Sequence, residues 1–181
     1  MPVTQRGSSP SERWRAAPSL TIWVYDSPLG GAAGEVRFKE LVRRGAVVVI
    51  EAVAVTWVRG SHRPHVGHLR RRSPAPGTSV LCSLVSLLAD SGPDSGHRIS
   101  ALASRLTGTG IDHQMLADAR RVFAPGTSAL LVLASDVDLD VVRPIVEHGR
   151  ARRGVVMVHA DLTPAAVETL RDELLSHIGE M

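Results

Sequence analysis

The chain has 181 residues, 44% hydrophobic and 22% charged, which suits one buried core and excludes a wholly disordered chain. Its single cysteine, Cys82, excludes an intramolecular disulfide framework and fits a reducing cytoplasm. The formal net charge of +3 is unevenly laid out: residues 1–72 carry a balance of +7 and residues 73–181 a balance of −4. Faces of opposite sign suit attraction between subunits or contact with an anionic surface, and two solvated faces are the plainer account.

Residues 1–19 are rich in Arg, Ser and Pro and lack the continuous apolar stretch of a secretory signal, so they read as a disordered leader. Residues 20–178 read as one α+β domain. Leu20 to Tyr25 forms a buried strand, and Asp26-Ser27-Pro28 with Gly30-Gly31 turns it toward a helix from Ala32 to Arg44, stopped by Gly45. A β-rich run from Ala46 to Val58 is interrupted by Glu51, which marks a bulge or an edge because a buried unpaired carboxylate is costly. After the Gly60-Ser61 and Pro64 turn, residues 65–70 return as a hairpin partner.

Two apolar runs, Val80 to Ala89 and Ile99 to Leu106, flank the breaker SGPDSG and suggest a helical hairpin inserted over 79–106. Met115, Leu116, Ala119, Val122 and Phe123 have helical spacing, with Asp112 as N-cap and Pro125-Gly126 as the stop. Leu130 to Ala134 is a buried strand. A helix over 139–148, strained by Pro144, leads to a strand over 155–158, and Thr163-Pro164 opens a C-terminal helix burying Val167, Leu170, Leu174 and Ile178. Two β-α-β units therefore share one sheet. Right-handed crossovers put both connecting helices on the same side, giving a ferredoxin-like core with a helical-hairpin insertion and an extra C-terminal helix.

The segment GTGIDHQMLADARRVFAPGTSALLVLAS (108–135), with TIWVYDSPLGGAAGEVRFKEL (21–41) and EAVAVTWV (51–58), resembles a bacterial family known as domain of unknown function 1269, whose members carry the label of membrane proteins. The resemblance covers residues 20–175 and implies no catalytic residue. Family members carry a long Gly/Ala-rich apolar segment in the middle, whereas here Asp90, Asp94, His97 and Arg98 divide it. The uninterrupted run from Val80 to Ala89 has ten residues, short of the roughly 20 that span a bilayer.

The stretch 59–72 holds five Arg and three His without an acid. Arg59, Arg63, His65, His68, Arg70, Arg71 and Arg72 are its candidate contacts to phosphates or an anionic membrane. His62, His65 and His68 invite a metal reading, but residues three apart on a strand point to opposite faces, and no second cluster completes a zinc pattern. Specific nucleic-acid recognition is not expected, since Trp57 is the one aromatic residue near the basic segment. Asp136, Asp138, Asp140 and Glu147 mimic a calcium loop without its glycine, and helix capping explains them better. LGGAAGE (29–35) lacks the phosphate-loop patterns and suits close helix-to-sheet approach. Cys82 reads as a small inert hydrophobe and His159 as a satisfied structural histidine. No catalytic, cofactor or metal site is assigned.

The leading expectation is a non-enzymatic, homo-oligomeric assembly module that self-associates through sheet edges or through the apolar hairpin. The candidate hairpin contacts are Val80, Leu81, Leu84, Val85, Leu88, Ile99, Leu102 and Leu106. Deleting residues 79–106 would then leave a folded but less associated protein. The rival is an enzyme or small-ligand binder whose pocket brings Arg or His toward Glu51, Asp26 or Tyr25. Peripheral contact with an anionic inner membrane is a third reading.

Overall fold

A computed structural model describes residues 18–71, 79–138, 140–142 and 154–176. Its elements, in chain order, are β1 (Ser19–Tyr25), α1 (Gly30–Arg43), β2 (Val47–Thr56), β3 (His65–Arg71), α2 (Val80–Leu88), α3 (Ser95–Arg105), α4 (His113–Val122), β4 (Ser128–Val137), β5 (Val155–Asp161) and α5 (Ala166–Ser176). The expected leader lies outside the described residues as far as residue 17, and Ser19 already belongs to β1. The helix expected over 139–148 lies outside them too, apart from a helical piece at 140–142.

The five strands form one antiparallel sheet in the order β3-β2-β4-β1-β5. Strands β1 and β2 flank β4, and β4 and β5 flank β1, so the two units interleave as expected, with β3 added at the β2 edge. Both faces of the sheet are covered. On one, Phe38 and Leu41 of α1 pack with Val49, Ala52, Leu130, Val132 and Val142. On the other, α2, α3, α4 and α5 cover Leu20, Ile22, Val53, Val55, Leu131 and Leu133. The 79–106 segment is thus part of a layer rather than an appendage.

Burying a leucine fully contributes about 1.5–3 kcal/mol, and the hairpin is placed to collect it. Val80, Leu81, Leu84, Val85, Leu88, Ile99, Leu102 and Leu106 are each at most 3% exposed. The apolar side expected to meet another subunit is filled by the chain's own sheet and helices.

Candidate functional site

Glu51 resolves its own puzzle. The pairing of β2 with β4 shifts register at Glu51, as a bulge would, and the side chain turns inward to 5% exposure. There the carboxyl accepts from Ser79 Oγ and, at 3.4 Å, from the Leu81 N–H at the start of α2. Ser79 also caps that helix by accepting from Cys82 N at 3.0 Å. A buried acid therefore anchors a helix N-terminus, where the dipole favours it.

The other residues proposed for a sheet-helix pocket are also engaged in packing. The Tyr25 ring lies against Gly30 and Gly34 of α1, and burial raises its phenol above the ordinary value despite the opposing field of Arg37. The Asp26 carboxylate sits against Gly154, while its N–H donates to the Gly154 carbonyl at 2.9 Å. Neither converges with Glu51 on a cavity.

In the basic segment, Arg59, His62, Arg63, His65 and His68 are exposed along the β2–β3 hairpin, and Val58 beside them is 56% exposed. Arg70 and Arg71 belong to β3, and Arg72 lies outside the described residues. Trp57 is 5% exposed, donates its indole N–H to the Ser61 carbonyl and packs on Phe123, so it offers no stacking platform. Among the described residues no three of His, Cys, Asp or Glu gather as metal ligands. Cys82 is half-buried and packs against the core, with its Sγ 3.5 Å from His68 Nε2. His159 is satisfied on both nitrogens, Nδ1 to Thr21 Oγ1 at 2.8 Å and Nε2 to Asp161 Oδ1 at 3.1 Å.

The motifs behind the family resemblance are joints. Gly110 has φ +102° and lies so close to the Asp161 carbonyl that a side chain would collide with it; Ile111 is buried and Asp112 caps α4 by accepting from Met115 N at 2.7 Å. Gly126 has φ +96° and donates its N–H to the Trp57 carbonyl. Ser128 then fastens α1, its Oγ accepting from Gly31 N at 2.8 Å and donating to the Ser27 carbonyl at 2.6 Å.

The two ends of the sheet differ most. Strand β3 closes one end with His65, His68, Arg70 and Arg71, the charged kind of edge that resists further pairing. Strand β5 closes the other with VVMVHAD, which has no Lys, Arg, Pro or Gly, and among the described residues only β1 pairs with it. Its ladder with β1 has no register shift. Just beyond the ends, Asp26 N donates to Gly154 O and Leu162 N donates to Pro18 O, in step with that ladder. Main-chain polar groups alternate sides along a strand, so Val156, Val158 and Ala160 direct theirs to β1. Val155, Met157, His159 and Asp161 direct theirs outward.

Above this edge runs an open groove of about 380 Å³, lined by Gln114, Met115, Asp118 and Arg121 of α4 and by Val156 and Val158 of β5. Gln114, Asp118 and Arg121 follow one helical stripe, and Arg121 pairs with Asp118 at 3.0 Å. Val156 is 44% exposed, the one large apolar side chain of β5 left that open. The sequence carried the signal for this edge: the interleaved strand order itself puts 155–158 outermost, and a β-rich run without a guarding charge or proline follows there.

Against known proteins, a family model described as "Protein of unknown function (DUF1269)" matches residues 76–175. The match takes in the joints at Gly110 and Gly126 and leaves out the resembling stretches 21–41 and 51–58. No curated protein and no solved structure matches the chain.

Proposed function

The chain belongs to this family of proteins of unknown function, and we propose that it works as an assembly module that associates through the β5 edge of its sheet, which among the described residues pairs only with β1. The observation that carries the proposal is the contrast between the two edges. Natural sheets blunt an exposed edge with charge, proline, bulges or brevity; β3 ends in Arg70 and Arg71, whereas β5 carries its one carboxylate, Asp161, at its last residue and runs through Val155–Val158 without a charge. A seven-residue edge whose first four residues carry no charge or proline, beside a groove of mixed polar and apolar lining, favours strand addition, in which main-chain hydrogen bonds supply affinity and the groove supplies selectivity. Self-association through the apolar faces of α2 and α3 is the less favoured route, because those faces are already buried.

The test is Met157→Pro. Proline removes an outward N–H and leaves the β1 ladder whole, so the variant should stay folded and sediment as a smaller species than the wild type. Identical sedimentation of the two proteins would remove the β5 edge from the account.

A second reading concerns the β2–β3 hairpin. No described carboxylate pairs with Arg59 or Arg63, and Val58 is exposed next to them, a combination that suits an anionic lipid surface. Phosphatidylserine vesicles should pull the protein down at low salt and release it at high salt, and Arg59→Glu with Arg63→Glu should abolish the effect. Retention unchanged by both salt and substitution would contradict it. Among the described residues no helix is long and apolar enough to cross a membrane.

A further inference from the structure

We infer that the partner at the β5 edge is a second copy of β5, paired antiparallel about a two-fold axis through Val158. The inference rests on the assembly reading above and adds its occupant and register. The four residues that direct main-chain groups outward, Val155, Met157, His159 and Asp161, are symmetric about Val158. Centring the axis there places Met157 opposite His159 of the second copy and Val155 opposite Asp161 of the second copy. Both are hydrogen-bonded pairs, so the donors and acceptors of the edge are satisfied at once. A two-fold centred on any other residue of β5 leaves at least one of the four without a partner in the opposing strand.

The side chains agree with this register. The even-numbered residues face the α4 groove, so exposed Val156 comes to lie against Ala160 of the second copy, and the two Val158 side chains meet on the axis. An isologous interface brings a patch against itself and so needs a self-complementary surface. The α4 stripe meets that need, carrying Asp118 and Arg121 within one turn and Asp112 at its start. Across the axis the two stripes run in opposite directions, which opposes the basic end of one to the acidic end of the other. The result is a continuous ten-stranded sheet with a four-helix layer on each side of the axis.

On the axis the two Val158 residues form a non-hydrogen-bonded pair, with Cα atoms about 4.5 Å apart, within disulfide reach. In a Cys82→Ser background, which removes the one native thiol, Val158→Cys should cross-link nearly completely under mild oxidation. Met157→Cys in the same background should not, since it faces His159 of the second copy. Each sample's mass is measured by light scattering before oxidation. Cross-linking by Val158→Cys alone supports the register. Cross-linking by Met157→Cys instead overturns it and leaves a β5-mediated dimer. A dimer in which neither cross-links overturns the β5 interface, here and in the reading above, and leaves only self-association by another surface. A monomeric wild type overturns both. Should Val158→Cys lose its fold, Val156→Cys combined with Ala160→Cys probes the same register from its flanks, and absence of a covalent dimer there contradicts it.

Discussion

Tyr25 shows how little room the sheet leaves for α1. A Cβ on Gly34 would fall inside contact distance of the Tyr25 hydroxyl, and one on Gly31 would lie 3.1 Å from Ser128 Oγ. Gly34→Ala should therefore lower stability by about 1–3 kcal/mol in urea unfolding. Tyr25→Phe, which removes the nearest atom, should recover part of that loss; a neutral Gly34→Ala would contradict the close approach. The phenol itself gives a second readout, because Tyr25 is the one tyrosine of the chain. Its folded value is raised by burial above the ordinary tyrosine value of about 10. Stability from the neutral ring is complete below pH about 10 and is lost as pH rises through the folded value. Phenolate absorbance should appear above pH about 10 in the native protein, and a midpoint at the ordinary value would contradict the burial.

At the scale of elements, the alternation of β5 makes a sharp prediction. Measured where the protein is monomeric, Val156→Pro deletes an N–H that faces β1 and should cost about 3 kcal/mol or more, whereas Met157→Pro deletes one that faces outward and should leave thermal stability nearly unchanged. Equal destabilisation by the two would mean that the outward groups are already paired within the chain. Element boundaries strayed from the sequence where a local signal had a tertiary cause. The helix expected from Ala32 begins at Gly30, because the poor helix formers Gly30 and Gly31 are there for contact with Tyr25 and Ser128. The break SGPDSG hides the first turn of α3, since Ser95 is held by the Arg120 guanidinium from α4. Strand β5 continues past Val158 because Thr21 and Asp161 satisfy His159 sideways. Where caps and periodicity are purely local, as in α4 with Asp112, the expected and observed elements coincide.

For the whole molecule, the interleaved sheet was legible because each β-α-β unit has its own apolar pattern. The fate of 79–106 was not, since an apolar hairpin suits a subunit contact and a core layer equally well. With its eight apolar anchors at most 3% exposed, deletion of 79–106 should unfold the protein, seen as loss of its cooperative melting transition. A folded deletion variant would contradict the three-layer description. The proposed assembly then falls to the sheet edge, whose role is a property of the sheet as a whole. The solution mass of the wild-type protein, measured by light scattering without detergent across a concentration series, tests this most directly. The account predicts a species of twice the 19.4 kDa chain mass, and a mass of one chain at every concentration would contradict it.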